Sequence, residues 1–219
     1  MMSIAPTRRM IVPMGDCGIL VRFAAQLDEA ANAAAIAFAD TLLASPPAGV
    51  EEVVPSLVSV FLRYDPLHTD FDTVCGELRL QLTGQHSARA PDTHTIGIIF
   101  GGSDGPDLAE VAGALALDPA SFIARHNAAP LRVLATGFAP GFVYCGFHPD
   151  DLILPRRQNV RPMVPAGSVL FAAGQTAIAA TDIPTGWHVI GRTDFRNFDA
   201  RTDPPTQLRA GDFLTFEAR

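Results

Sequence analysis

From residue 131 to residue 219 the chain never keeps an apolar pattern going long enough to make a helix. Its apolar runs are short, and each is broken by Gly, Pro or Asp. Strands are the elements such runs can form, and a series of them with tight breaks reads as a β-barrel or sandwich. Segments 168–173 (S-V-L-F-A-A), 188–191 (H-V-I-G) and 212–216 (D-F-L-T-F) are the plainest strands.

The N-terminal part mixes both periods. Residues 10–23 read as two short strands around Gly15-Asp16-Cys17-Gly18. Asp28 is placed to cap a helix running to about Leu43, with Ala31, Ala35, Phe38 and Leu42 on one stripe. The S-P-P-A-G of residues 45–49 ends it. Residues 50–54 and 57–64 read as paired strands, the second with Val58, Val60, Leu62 and Tyr64 on one face. Thr69 and Asp72 resemble a capping box with Asp in place of Glu. It opens a helix with Phe71, Val74, Cys75, Leu78 and Leu82 on its buried face, stopping near Gly84. Cys75 on that stripe reads as core. This order of elements fits an antiparallel sheet covered by helices.

Residues 85–92 are polar, aperiodic and contain Pro91, which predicts a domain boundary. The division is residues 1–88, an N-terminal α/β sandwich domain, and residues 89–219, the barrel domain; the fold class is α+β. Beyond the boundary a strand at 95–100 closes on Gly101-Gly102. Pro106 then sits at a first helical position, with Asp107 and Glu110 in the first turn and Leu108, Val111, Ala112 and Leu115 on the buried side. Asp118-Pro119 opens a second helix through Phe122, Ile123 and His126.

Composition removes whole classes of function. Apolar residues make up 48% and charged residues 18%, which marks a globular chain rather than a disordered one. No run approaches the roughly 20 apolar residues of a membrane span. Residues 1–10 lack a signal-peptide core and cleavage site, so a cytoplasmic location is expected. Cys17, Cys75 and Cys145 form no C-x-x-C and the six histidines no ligand pair, so neither a disulfide framework nor a metal site is indicated. The chain has no lysine at all, and its sixteen basic residues are arginines. A Walker-type phosphate loop and Schiff-base chemistry both need that amine. A net charge of −7 argues against general nucleic-acid binding. Residues 1–150 hold sixteen acids and eight arginines, while residues 151–219 hold seven acids and eight arginines, which directs anion binding to the last third.

Four stretches there carry candidate chemistry. In T-G-F-A-P-G-F-V-Y-C-G (residues 136–146), glycines and a proline frame a rigid loop in which Phe138 and Phe142 either fill the core or offer stackable surface. L-P-R-R-Q-N-V-R-P (154–162) brings Arg156, Arg157 and Arg161 together, as a solvated edge or as forks for a carboxylate or phosphate. V-P-A-G-S-V and A-G-Q-T supply Ser168, Gln175 and Thr176, neutral donors and acceptors suited to an amide. T-G-W-H-V-I-G-R-T (185–193) holds Trp187, the only tryptophan, beside His188, a candidate acid or base, and ends near Arg192. The expectation is that these loops converge on one concave, arginine-edged recess.

Taken together, G-F-A-P-G-F, L-P-R-R, V-P-A-G-S-V, G-Q-T, G-W-x-x-I-G-R-T and the closing D-P-P-T-Q-L-R-A-G-D resemble the carboxyltransferase subdomain C/D family. The earlier G-G-x-x-G-P-D-L, G-D-x-G-I-L-V-R-F and R-Y-D-P segments match it as well, so the resemblance spans nearly the whole chain. The family includes the B subunit of bacterial 5-oxoprolinase, allophanate hydrolase subunit 1 and Kip-type inhibitors of a sensor histidine kinase. The resemblance implies a cyclophilin-like β-barrel for the C-terminal domain and pairing with a homologous barrel subunit, often with a third; the net charge and the short apolar runs lead to no nucleic-acid or membrane partner being expected.

It implies an ATP-dependent amide hydrolase, first of all 5-oxoproline opened to glutamate at the expense of ATP, with ATP held here or by a partner subunit. A urea-derived amide as substrate, or kinase inhibition, are the alternatives. In such an enzyme His188, Gln175 and Thr176 are the catalytic candidates, and Phe138, Phe142, Arg156, Arg157, Ser168, Trp187 and Arg192 the substrate-binding ones. The chain departs from the family pattern where Y-L-G-G becomes Tyr144-Cys145-Gly146-Phe147. It departs again where G-G-Q-T-G-I-Y-P becomes A-G-Q-T-A-I-A-A, and where P-G-G-W becomes Pro184-Thr185-Gly186-Trp187. Cys145 standing where relatives have leucine speaks against it as a nucleophile.

Overall fold

The computed structural model describes residues 9–219, in two compact units, one ending at Ala90 and the other beginning at Pro91. In the first, β1 (Met10–Met14), β2 (Gly18–Arg22), β3 (Val50–Pro55) and β4 (Ser59–Tyr64) form an antiparallel sheet of order β1-β2-β4-β3. Helices α1 (Glu29–Ala44) and α2 (Phe71–Leu82) pack on it. Phe38 and Leu42 of α1 and Val74, Cys75 and Leu78 of α2 share one buried cluster with Ile19, Val21, Val60 and Leu62. The Asp28 carboxylate caps α1 by accepting from the Ala31 N–H at 2.8 Å. The cap of α2 lies one residue beyond the expected Thr69: Asp70 accepts from the Thr73 N–H at 2.8 Å. Burial pushes the Cys75 thiol up, in keeping with a core residue.

The second unit opens with β5 (Thr93–Phe100), α3 (Leu108–Ala114) and α4 (Pro119–His126), then β6 (Leu131–Thr136) and β7 (Val143–Gly146). It continues through β8 (Arg161–Val164), β9 (Ser168–Ala172), β10 (Gln175–Ile178), β11 (Ile183–Thr185), β12 (His188–Arg192) and β13 (Phe213–Ala218). Seven strands close a barrel in the order β10-β7-β6-β13-β5-β12-β9, with β9 pairing back to β10. β13 runs parallel to β5; the other barrel pairs are antiparallel.

Strand alternation sorts the side chains into two cores. Ile96, Ile98, Val143, Cys145, Val169, Phe171, Ile190, Leu214 and Phe216 form one cluster, to which α3 and α4 add Val111 and Phe122. Their neighbours Leu170, Ala172, Ala177 and Val189 form another with Phe142, Trp187, and Val164 and Ile183 of the β8–β11 ribbon. No helix among the described residues is long and apolar enough to cross a membrane.

One expected helix start moves for a physical reason. α3 begins at Leu108, after Pro106 and Asp107, because Asp107 bonds to β12 instead: its N–H donates to the Val189 carbonyl at 3.0 Å, and its carboxylate accepts the Val189 N–H at 2.8 Å. The preceding loop is pressed flat on the same strand, with the Gly101 N–H donating to the Ile190 carbonyl at 3.1 Å. A Cβ on Gly105 would fall on that carbonyl. Gly105→Ala is therefore expected to lower stability by about 1–3 kcal/mol, read as a shift in the urea midpoint.

Candidate functional site

The loop between β6 and β7 is held by its own chain. The Gly137 N–H donates to the Phe142 carbonyl at 3.0 Å, the Phe142 N–H to the Ala139 carbonyl at 3.0 Å, and the Asn197 amide to the Gly141 carbonyl at 3.0 Å. Gly141 has φ 71°, and a Cβ there would meet the Phe198 Cβ at 2.5 Å, so glycine is required twice over. Phe138 also has a positive φ, 77°, and stands 71% exposed. A bulky residue both at positive φ and solvent-facing is unusual.

From it a run of aromatic rings crosses the unit. Phe138 lies 5.5 Å from Phe142, Phe142 4.7 Å from Tyr144, and Tyr144 6.0 Å from Trp187, and the Arg156 guanidinium sits 5.5 Å over the Trp187 ring. Phe142 and Trp187 are buried in the outer cluster, so Phe138 and Arg156 are the open ends of this shelf. Among the described residues Arg156 has no carboxylate partner. Burial pushes the Tyr144 phenol up, and the nearby Arg156 charge opposes that shift.

A second recess lies apart from the shelf. Ser103, Asp104, Pro106, Arg161, Met163, Val164, Pro165, Ser168, Val189 and Arg192 line a cleft of about 160 Å³. Behind it the buried Asp107 carboxylate takes Arg157 at 2.9 Å, and Arg161 on the same oxygen. Glu110 lies 3.5 Å from Arg157. Arg157 is thereby committed to an internal network. Arg192 is looser, with Asp104 3.9 Å away as its nearest acid. The Ser168 hydroxyl donates to the Pro165 carbonyl at 2.7 Å. His188 places Nε2 3.1 Å from the Pro155 carbonyl and Nδ1 4.0 Å from Glu110, with Nδ1 buried and without a hydrogen bond.

Thr176 belongs to neither recess. Its hydroxyl lies 2.8 Å from Nε2 of both His126 and His148, whose rings are 4.8 Å apart. His126 Nδ1 contacts the Asn127 side-chain oxygen at 2.7 Å, which requires a hydrogen on Nδ1. His126 Nε2 then accepts from Thr176, and His148 Nε2–H donates to Thr176. Phe100, Phe122, Phe171 and Phe216 surround the pair. Burial draws the His126 pKa down to about 4; burial, then the neighbouring His126, draws His148 down to about 3. Gln175 is buried at the start of β10, its Cγ 3.6 Å from where a Cβ on Gly146 would lie. Burial also drives the Cys145 thiol far up, so it is no nucleophile.

The predicted residues thus do not meet in one recess. Phe138, Phe142, Trp187 and Arg156 share the shelf, Ser168 and Arg192 share the cleft, Arg157 and His188 stand behind it beside Glu110, and Thr176 faces inward. Sequence reasoning misses Asp107, His126 and His148. Asp107 follows a proline and opens α3, a local role that hides what its carboxylate binds. The two histidines are 22 positions apart in the sequence, a spacing that matches no ligand or relay pattern.

A closed barrel with an outer ribbon, joined to a helix-covered antiparallel sheet, defines a carboxyltransferase-type chain, and comparison with known proteins agrees. The profile described as carboxyltransferase domain, subdomain C and D, matches residues 9–208, and the chain belongs to that family. It is 32% identical to the 5-oxoprolinase B subunit of Bacillus subtilis (strain 168), over 95% of this chain and 92% of that protein. It is 37% identical to the 5-oxoprolinase B subunit of Escherichia coli O157:H7, over 76% of this chain and 77% of that protein. Among solved structures, TTHA0988 superposes with a TM-score of 0.82 at 33% identity, over 96% of this chain but 40% of the longer TTHA0988 chain. The Kluyveromyces lactis urea amidolyase superposes with a TM-score of 0.78 over 98% of this chain and 15% of its own; at 15% identity that likeness concerns the fold.

Proposed function

We propose that this chain is the B-type subunit of an ATP-dependent amide hydrolase that opens 5-oxoproline to glutamate, acting with a homologous barrel subunit. The observation that carries the reading is the match to a 5-oxoprolinase B subunit along nearly the full length of both proteins. The aromatic shelf supports it. A flat lactam ring suits an edge of Tyr144, Phe142 and Phe138, and Arg156, free of any acid partner among the described residues, is placed to hold its carboxylate. The arginine cleft does not fit a whole nucleotide. The chain has no lysine, the arginine cleft of about 160 Å³ falls below the roughly 300–1,000 Å³ usual for small-molecule sites, and its Arg161 is already engaged by Asp107. On this reading ATP is held with or by a partner subunit.

The test is ATP-dependent glutamate release by the assembled complex. Arg156→Ala is expected to raise KM for 5-oxoproline about tenfold while leaving the unfolding midpoint unchanged. No turnover in a complex shown to be assembled rejects the reading. A urea-derived amide is the second reading, because the departures at Ala177, Ala179 and Ala180 sit under the shelf: a Cβ on Gly141 would lie 2.9 Å from that of Ala180. Turnover of allophanate in place of 5-oxoproline by the same complex selects it.

A further inference from the structure

The cleft beside Asp104 is a different kind of site from the shelf, and its parts specify a ligand. Its walls are preformed. The loop carrying Ser103 and Asp104 is bonded along β12, and the opposite turn is pinned where the Thr193 N–H donates to the Gly167 carbonyl at 2.8 Å and the Gly167 N–H to the Ala179 carbonyl at 2.7 Å. Two guanidiniums line it from different strands. Arg161 is oriented by Asp107 and has further donors beyond that bond. The Arg192 guanidinium has no hydrogen bond among the described residues.

The charges in and behind the cleft balance, with Arg157, Arg161 and Arg192 against Asp104, Asp107 and Glu110. There is no surplus field to gather polyanions, so recognition falls to donor geometry. The volume of about 160 Å³ is worth about five waters, enough for one compact group. Asp104 decides which group. A carboxylate accepts and does not donate, so a ligand bridging Arg161 and Arg192 must present a hydrogen where it meets Asp104.

We propose that this cleft binds a compact oxyanion that retains a hydrogen at neutral pH, namely inorganic phosphate. Deprotonated oxygens accept from Arg161 and Arg192, and the remaining P–OH donates to Asp104. Sulfate and simple carboxylates match the arginines equally well but carry no hydrogen near neutral pH, and they meet Asp104 as like charge. The assignment stands apart from the proposed reaction, so failure of either leaves the other to be judged by its own test.

Calorimetric titration of the full chain near neutral pH, at fixed ionic strength, tests it with four probes: inorganic phosphate, methyl phosphate, sulfate and acetate. Phosphate is expected to bind, with sulfate and acetate weaker by about tenfold or more. Methyl phosphate, whose second proton is lost at about pH 6 and which then meets Asp104 much as sulfate does, is expected to bind more weakly than phosphate; binding of the ester as tight as that of phosphate overturns the role given to Asp104. Arg192→Gln, whose side chain is 41% exposed and so dispensable to folding, is expected to weaken phosphate by about tenfold. Asp104→Asn supplies an N–H in place of the carboxylate and is expected to bring sulfate up to the affinity of phosphate. Equal binding of sulfate and phosphate by the unaltered chain, no phosphate binding up to about 10 mM, or phosphate binding untouched by Arg192→Gln overturns the proposal.

Discussion

Lowering the pH from about 7.5 to about 5.5 is expected to cost the barrel unit about 3 kcal/mol of stability, because His126 and His148 are buried neutral. The sign follows from where the protons go. In the unfolded chain both imidazoles titrate near 6.5, whereas in the fold they resist protonation down to about 4 and about 3. Below 6.5 the unfolded state therefore takes up two protons that the folded state refuses. The stabilisation is complete above 6.5 and is lost as pH falls toward 4. Each proton contributes about 1.4 kcal/mol per pH unit. Urea unfolding followed by the fluorescence of Trp187 reports on this unit alone, since it is the chain's only tryptophan and is buried there. His126→Phe, whose ring suits the surrounding phenylalanines and leaves Thr176 its bond to His148, is expected to halve the pH dependence. A slope unchanged by that substitution would show that other groups are responsible. His86, lowered by burial in the first unit, does not enter this signal.

Asp107→Ala is expected to be about as damaging at neutral pH, by about 3 kcal/mol. The carboxylate serves three donors: Arg157 at 2.9 Å, Arg161, and the Val189 N–H at 2.8 Å. Removing it strands two partly buried guanidiniums and a backbone donor of β12. Asp107→Asn keeps an acceptor for Val189 and is expected to lose less, while Arg157→Gln, which leaves Arg161 on the carboxylate, is expected to lose least. That order in the urea midpoints is the check; an Asp107→Ala midpoint within about 0.5 kcal/mol of the unaltered chain would mean the network adds nothing.

These two networks also mark where sequence reasoning stops. The first unit is legible because its elements follow local rules. Asp28 caps α1, the 3.6-residue stripe of Phe38 and Leu42 is buried, and the two-residue alternation of Val60 and Leu62 faces the helices. The barrel is legible as a class, since only strands suit runs so short. Its register is not: the parallel pairing of β13 with β5 joins residues about 120 positions apart, and nothing local encodes it. For the same reason the sequence yields the candidate residues but not their grouping. Alternation on β10 and β7 turns Thr176 and Cys145 to one side and Ala177 and Tyr144 to the other, so neighbours in a motif part company in space. Asp107 does open α3, its carbonyl accepting from the Val111 N–H at 2.9 Å, but its carboxylate serves a strand residue 82 positions away, which nothing local announces.

The seven-stranded ring has a consequence for how the chain meets other proteins. With β9 bonded to β10 the ring closes, and unpaired edge remains in it chiefly where pairing is short: β5 meets β12 only at Ile99 and Phe100, and β13 meets β6 only at Phe213 and Leu214. Among the described residues, vacant margins remain on β1 and β3 of the first unit and on the β8–β11 ribbon. β1 is interrupted by Pro13 and β3 carries Glu51, Glu52 and Pro55, residues that discourage strand addition. Where the ring is fully paired, contacts to it are left to side chains and loops, which is where its exposed phenylalanine and the arginine over Trp187 stand.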